Sequence, residues 1–289
     1  MSILRTEHLT YIYSQGTPFR KDAVMDVNIE LYPGSIVGVI GHTGSGKSTL
    51  VQQLNGLLRP TSGKVYLDGK DIWEEPKKIR AVRFRVGMVF QYPEYQLFDD
   101  TVYKDISFGP RNMGLNEEEI KQRVDEAARL VELPPVLLEK SPFDLSGGEK
   151  RRAAIAGVIA MKPEILILDE PTAGLDPKGR ETILSLIRSY RDETGSAVVF
   201  VSHSMEDIAV LAEQVLVMNQ GKVAMFCNTD EVFARAEELT SMGLNIPQVT
   251  QVFIGLKARG FRVDPGVFTV REAARQILTL TGKGGTADA

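Results

Sequence analysis

Nearly unbroken apolar runs set the frame of this chain. Ile36-Val37-Gly38-Val39-Ile40, Ile165-Leu166-Ile167-Leu168, Ala197-Val198-Val199-Phe200-Val201 and Gln214-Val215-Leu216-Val217-Met218 have the pattern of strands buried on both faces of a parallel sheet. Helix patterns fill the intervals between the last three. The first ninety residues mix strand signals with turns: Val27, Ile29 and Leu31 alternate with polar Asn28 and Glu30, and Lys64-Val65-Tyr66-Leu67 runs into Asp68-Gly69-Lys70. Residues 93–163 change to a helical pattern, clearest where Asn116 precedes Glu117-Glu118-Glu119 and where Ile120, Val124, Ala127 and Val131 recur at helical spacing. A hairpin through Asn219-Gln220-Gly221-Lys222 closes the core. Three helix-like segments follow, near 230–239, 247–259 and 270–281, and then a polar tail, 283–289, whose composition predicts disorder. There is no internal repeat and no low-complexity tract.

A length of 289 residues with 43% hydrophobic content allows a large core in one or two domains. Lys and Arg number 34 against 38 Asp and Glu, so a net charge of −4 gives no general attraction to nucleic acid or to an anionic membrane. The single cysteine, Cys227, excludes an internal disulfide, and its neighbours Met225 and Phe226 mark it as a small apolar side chain. Arg5 and Glu7 interrupt the start where a signal peptide needs an apolar core, and no run approaches a membrane span. A cytosolic location is expected.

Directly after the first apolar run stands Gly41-His42-Thr43-Gly44-Ser45-Gly46-Lys47-Ser48-Thr49, which fills the pattern G-x-x-x-x-G-K-[ST]. Backbone N–H groups can wrap a polyphosphate only where side chains leave room, which is what Gly41, Gly44 and Gly46 provide. Lys47 adds a mobile positive charge, a helix opening near Gly46 aims unpaired amides at the same phosphates, and the Ser48 hydroxyl is placed to ligate Mg²⁺. The run Ile165 to Leu168 ends in Asp169-Glu170. A carboxylate at a strand's carboxyl end beside a phosphate loop suits Asp169 to metal binding through water, and Glu170, turned the other way, to orienting the water that attacks a γ-phosphate.

Leu145-Ser146-Gly147-Gly148-Glu149 changes the picture further. Ser146 can cap a helix running through Ala153, Ala154, Ile155 and Ala156, and two glycines at its mouth expose amides to an anion. This element resembles the signature of ATP-binding-cassette ATPases. Beside it, Tyr13 resembles the aromatic that stacks on adenine, with Tyr11 as the alternative, and Gln91 the metal- and water-sensing glutamine. Ala173-Gly174-Leu175-Asp176 resembles the loop that crosses the ATPase dimer, and His203 the histidine at the γ-phosphate. The side chains of His8 and His42 have no role to which a motif points. Lys150-Arg151-Arg152 reads as solvated or paired, not as a nucleic-acid contact.

The resemblance covers about residues 3–228 and implies an α/β P-loop NTPase. Its parts would be a mixed, mainly parallel core sheet, an antiparallel β subdomain, the helical insertion at 93–163 and a C-terminal helical extension, 229–289. It implies ATP and Mg²⁺, with Ser48, Gln91 and Asp169 toward the metal, and a composite site in which Ser146 and Gly148 serve the nucleotide of an opposite subunit. Phe90-Gln91-Tyr92-Pro93-Glu94-Tyr95-Gln96-Leu97-Phe98 and Phe108-Gly109-Pro110 resemble ATPases of energy-coupling factor transporters, and Gly41-His42-Thr43-Gly44 together with Gln91-Tyr92-Pro93-Glu94 resemble their second, A-prime, ATPase. The implied partners are another ATPase subunit, a transmembrane scaffold and a substrate-capturing membrane component, at the cytoplasmic face of the cell membrane. The segment from Tyr92 to Met113 would meet the scaffold, although Phe108 suits the insertion's own core equally. The stripe Ile246, Val249, Val252, Phe253 and Leu256 suits either the ATPase pair or an internal core.

Alternatives are the ATPase of another cassette transporter, a non-transport clamp or switch, and a GTPase or small-molecule kinase. A repair clamp inserts a long coiled coil between loop and signature, whereas Lys47 and Ser146 lie 146 − 47 = 99 residues apart. A GTPase or kinase shares the loop but not Leu145 to Glu149.

Overall fold

The computed structural model describes residues 1–280. The last predicted residue of the third C-terminal helix and the tail 283–289 lie outside them. The chain opens with β1 (Leu4–Tyr13), β2 (Lys21–Val27) and β3 (Glu30–Leu31), runs through β4 (Ile36–Ile40) and α1 (Lys47–Leu54), and returns in β5 (Ser62–Leu67) and β6 (Lys70–Asp71). β1, β2, β3, β5 and β6 form an antiparallel five-stranded sheet in which β1 pairs with β2, β3 and β5. The predicted alternation across Val27 to Leu31 is divided between two strands. Asp26 takes a left-handed φ of 54°, Asn28 accepts the His8 amide at 2.8 Å, and Thr6 Oγ1 bonds both Val27 O and Ile29 N, so the chain switches its pairing partner there.

A short helix absent from the sequence pattern, α2 (Ile79–Arg85), leads into β7 (Val86–Val89). It buries none of its residues, so no apolar stripe announced it. The insertion follows as α3 (Val102–Asn112), α4 (Glu117–Leu130) and α5 (Gly147–Ile159). Asn116 and Glu119 form the reciprocal cap expected at the start of α4: Asn116 Oδ1 accepts the Glu119 amide at 2.9 Å and Glu119 Oε2 accepts that of Asn116 at 3.0 Å. β8 (Ile165–Asp169), α6 (Pro177–Thr194), β9 (Ala197–Val201), α7 (Met205–Leu211), β10 (Gln214–Asn219) and β11 (Lys222–Asn228) complete the second sheet. Its order is β11-β10-β4-β9-β8-β7, parallel except for the β10–β11 hairpin.

Both faces of that sheet are dry, which explains the unbroken apolar runs. Ile36, Ile40, Leu166, Leu168, Val198 and Phe200 face the helical side, while Val37, Val39, Ile165, Ile167, Val199 and Val201 face the antiparallel sheet and α1. The register matters most for function. Ile40 pairs with Val217, Val39 with Val201, Val201 with Asp169, and Leu168 with Val89, so four strands end side by side at one edge. The segments that follow them, 41–46, 202–203, 169–170 and 90–91, are therefore neighbours.

Residues 229–280 carry α8 (Thr229–Ala234), α9 (Ala236–Ser241), α10 (Gln248–Ala258) and α11 (Val270–Leu280), the first predicted helix being divided at Arg235. Val232, Phe233, Leu239, Leu244, Ile246 and Phe268 join the core of the main sheet. Phe253, Val263, Val267 and Ala273 form a separate small core with Val249 and Leu256 against it, so most of the predicted stripe is internal, and only Val252 of it is exposed. Phe253→Ala should remove about 3–5 kcal/mol from this small core. Limited proteolysis would read it as earlier cleavage in 248–280 with the segment 1–228 still protected; unchanged protection would show that the cluster does not hold the extension together.

Candidate functional site

The loop after β4 is pressed between two strands. A Cβ on Gly46 would lie 2.1 Å from the Ala23 carbonyl oxygen of β2, and one on Gly41 would lie 2.4 Å from the Met218 carbonyl oxygen of β10. Gly46, at φ 104°, is also in a region that side-chain-bearing residues avoid, so glycine there is a steric necessity. The loop and its neighbours enclose a recess of about 220 Å³ lined by Tyr13, Lys21, Ala23, Thr43, Gly44, Gly46, Lys47, Ser48, Thr49, Gln91, Asp169, Glu170 and His203. The predicted residues at positions 13, 43, 44, 46–49, 91, 169–170 and 203 thus line one recess. Gly41, His42 and Ser45 shape the loop without lining the recess, and the His42 ring turns aside so that Nδ1 lies 2.8 Å from Thr43 O. Lys21 and Ala23 were missed, since a strand edge carries no motif.

Of the two tyrosines, Tyr11 packs against the core below the antiparallel sheet and Tyr13 lines the recess, its hydroxyl 3.1 Å from Thr49 Oγ1. The rings meet edge to face at 4.8 Å. A wider cleft of about 560 Å³ exists at the amino ends of β4, β8 and β9. It offers no glycine loop, and its Arg129–Glu193 and Lys162–Glu126 pairs, at 2.8 and 2.5 Å, satisfy one another. The chemistry belongs to the smaller recess.

Its charges are buried. Lys47 is 6% exposed and donates to the carbonyls of Gly41 at 2.6 Å and His42 at 3.1 Å. Burial pushes its ammonium below the usual range, against the pull of Glu170 and Asp169. Burial raises the Asp169 carboxyl, opposed by a hydrogen bond from Ser48 and by the charges of Lys47 and His203. Glu170 is pushed up to about 7, first by burial and then by Asp169, although the His203 amide and Lys47 pull the other way. Its Oε2 accepts from the His203 amide at 3.3 Å. Its Oε1 lies 3.3 Å from His203 Nε2 but off the hydrogen-bonding direction, so this buried oxygen has no hydrogen-bond partner among the described residues and is free to accept one. Burial, and then Lys47, lower the His203 imidazole. The hydroxyl of Ser48, the amide of Gln91 and the carboxylate of Asp169 are hard oxygen donors facing one recess, a set that fits Mg²⁺.

Leu145, Ser146, Gly147, Gly148, Glu149 and Asp176 are not part of this recess. Ser146 caps α5 with a reciprocal box, Glu149 Oε2 accepting the Ser146 amide at 2.8 Å and Ser146 Oγ the Glu149 amide at 3.4 Å. Leu145 is buried below it. A Cβ on Gly147 would meet nothing and one on Gly148 only the tip of Arg152 at 3.9 Å, so the room these glycines leave opens outward. Asp176 caps α6 by accepting the Gly179 amide at 2.7 Å. Within the basic triplet, Arg151 is paired and buried: it forks onto Glu94 and reaches the carbonyls of Pro171 and Ala173. Behind His203, buried Asp207 accepts from Thr172 Oγ1 at 2.8 Å and from Arg180. Thr172, Arg180 and Asp207 were not singled out in the sequence, and Glu94 appeared there only as a member of the Gln91-Tyr92-Pro93-Glu94 segment, with no role of its own.

Comparison with known proteins identifies the family. The sequence family described as ABC transporter matches residues 24–173. "Energy-coupling factor transporter ATP-binding protein EcfA2" of Caldanaerobacter subterraneus subsp. tengcongensis is 52% identical over 275 residues, covering 95% of this chain and 96% of the relative. The protein of the same name from Clostridium tetani is 51% identical over 278 residues, covering 96% of each. Among solved structures, cbiO1 from Clostridium perfringens, described as part of the ABC transporter complex cbiONQ, superposes with a TM-score of 0.74 at 41% identity, covering 83% of this chain and 94% of that one. The ATP-binding cassette MJ0796, a dimer in a post-hydrolysis state bound to ADP and Pi, gives 0.70 at 28% identity, covering 78% and 98%.

The Glu170 carboxyl should titrate near pH 7 in the free protein, because burial favours its neutral form. Carbon-13 NMR of labelled glutamate, assigned with Glu170→Gln, would follow it; a midpoint near the ordinary 4.5 would show that water reaches the carboxyl freely.

Proposed function

The chain belongs to the ABC transporter family, and from that premise we propose that it is the ATP-binding and ATP-hydrolysing subunit of an energy-coupling factor importer for vitamins or transition-metal ions. The observation that carries the catalytic part is the Glu170 carboxylate with one free oxygen, set between Lys47 and His203 at the floor of the recess. Identity of 52% over 95% of the chain with an energy-coupling factor ATPase supports the transporter assignment, and the name EcfA2 supports the second ATPase of a pair.

In this reading Tyr13 stacks on adenine and the amides of residues 43–49 wrap the phosphates, with Lys47 leaving its loop carbonyls to meet them. Ser48, Asp169 and Gln91 would hold Mg²⁺ beside the phosphates, where it would supply positive charge against the charge of the leaving group. Glu170 accepts a hydrogen bond, and then a proton, from the attacking water. His203 lies beside it, fixed through its own amide, and contacts the γ-phosphate. The outward-facing Ser146-Gly147-Gly148 corner completes the site of a second cassette, either another copy or a related chain, and Asp176 holds the start of α6 at the crossing loop. ATP then joins two subunits, and loss of γ-phosphate removes the joint.

The groove between α2, α3 and α5, about 410 Å³ and lined by Arg83, Phe84, Leu97, Phe98, Phe108 and Met161, supports docking of the transmembrane scaffold. Phe98 and Phe108 meet edge to face at 5.2 Å on its rim and are 62% and 49% exposed, which favours the partner-facing reading of Phe108 over the core one. No helix among the described residues is long and apolar enough to cross a membrane. Peripheral attachment at the cytoplasmic face through that scaffold accounts for this. We assign 1–228 to the cassette, with its insertion at 93–163, and 229–289 to a C-terminal extension.

Glu170→Gln should retain ATP binding and hold the closed pair while hydrolysis falls at least about a hundredfold. Turnover at the wild-type rate would refute the role of Glu170. Lys47→Ala should instead weaken nucleotide binding by about tenfold or more, because a desolvated charge-assisted contact is lost. Equilibrium binding of MgATP checks it, and an unchanged affinity would count against the loop assignment.

A further inference from the structure

Arg151 is the buried member of the basic triplet, 3% exposed, and the nucleotide chemistry above gives it no role. Four of its N–H groups are directed onto two loops. Nε and Nη2 form a fork with Glu94 at 3.0 and 2.6 Å, and Nη1 donates to Pro171 O at 3.2 Å and Ala173 O at 2.7 Å. Glu94 stands three residues beyond Gln91, and Pro171 directly follows Glu170. Each loop turns through a left-handed residue that carries a side chain, Tyr92 at φ 54° and Glu170 at φ 53°. Such turns persist only where their surroundings over-determine them, and among the described residues Arg151 is the one side chain that bonds both loops.

Burial pushes the Glu94 carboxyl up, and Arg151 outweighs it, holding Glu94 below the usual range. A buried ion pair contributes little net stability relative to an apolar pair of the same shape. Its value lies in geometry, since only a planar fork can satisfy a carboxylate and two carbonyls at once. Arg151 also lies on α5, five residues beyond Ser146, so the helix whose start faces a second nucleotide is tied directly to the Glu170 turn.

We propose that Arg151 is a positioning residue that couples the two nucleotide sites of a cassette pair. Anion contact at Ser146-Gly147-Gly148 moves α5, and Arg151 carries that shift to the Glu170 and Gln91 loops, which act on the chain's own nucleotide. The inference rests on the ATPase reading above and deepens it.

The test uses the full chain purified in the assembly with its natural ATPase and membrane partners, with MgATP as the probe. Arg151→Lys keeps the charge and loses the fork; Glu94→Gln keeps the shape and loses the charge. Each should lower kcat at least about tenfold with KM within about twofold, and the Hill coefficient for ATP should fall toward one. The double variant should be no slower than the slower single one. Thermal melting of each variant corrects for folded fraction, and if Arg151→Lys does not fold, Glu94→Gln alone decides. A role confined to folding would leave the Hill coefficient of the folded fraction unchanged, and that result overturns the coupling. So do unaltered kcat, a KM that rises in step with the loss, multiplicative losses in the double variant, or a non-cooperative wild type. A wild-type assembly that hydrolyses no ATP overturns the functional reading together with the inference; wild-type turnover with unaffected variants overturns the inference alone.

Discussion

Three charges, Lys47, Asp169 and Glu170, gather at the end of a sheet buried on both faces, and their desolvation governs the site. Opposite charges adjoin, yet every one of the three is displaced toward its neutral form: Lys47 down, Asp169 up and Glu170 up to about 7. Burial therefore outweighs mutual attraction, as expected where removing each ion from water costs several kcal/mol. The cluster is electrostatically incomplete by itself. The phosphates of a nucleotide bring anionic oxygens to Lys47. Binding then relieves a cost that folding imposed. The same burial leaves Glu170 a stronger base than an exposed carboxylate, so one physical term serves both affinity and chemistry.

How much of this was legible followed from how local each feature is. The phosphate loop needs only its own backbone and the strand and helix on either side, so nine consecutive residues announced it. The apolar runs were legible because burial on both faces removes alternation. Gln91 and His203 carry no local signal; only their order among other motifs singled them out, and the strand register that makes their loops neighbours is a property of pairing, not of sequence. Tyr11 and Tyr13 lie two residues apart on one strand, and the choice between them depended on what packed beneath. Arg151 did leave a trace: with Ile155 and Ile159 it continues a buried face at intervals of four, which favours the paired over the solvated reading of its charge. Its partner Glu94 lies 57 positions away, beyond the reach of any periodicity.

The two glycine-lined helix ends solve opposite steric problems. Around Gly41 and Gly46 the chain's own carbonyls leave no volume for a Cβ, so the loop is shaped from within. Around Gly147 and Gly148 the described residues leave room, with only the tip of Arg152 at 3.9 Å from a Cβ on Gly148, and a side chain would be tolerated there if the monomer were the whole device. Only an external group approaching closely gives those glycines a physical reason. The helix start is meanwhile rigid, because Ser146 and Glu149 satisfy one another and fix the direction of the exposed amides.

A closing pair of such subunits must convert contact at one nucleotide into geometry at the other without a flexible link, since close-packed interiors shift between discrete arrangements instead of deforming smoothly. The buried polar groups supply suitable connections. The turn after Glu170 is held on one side by Arg151 from α5 and on the other by Asp207 from α7, through Thr172. Farther out, Glu206 accepts from the Gln248 amide at 3.2 Å, and Ser204, next to His203, bonds the same carboxylate at 3.3 Å. The start of α10 is thus within two hydrogen bonds of the histidine loop. The ties from Arg151 and Asp207 are directional and largely buried, so a rotation of α5 cannot be absorbed by sliding, as it would be across an apolar contact. It must either break bonds whose unpaired partners would be costly in a dry interior or carry the catalytic turn with it.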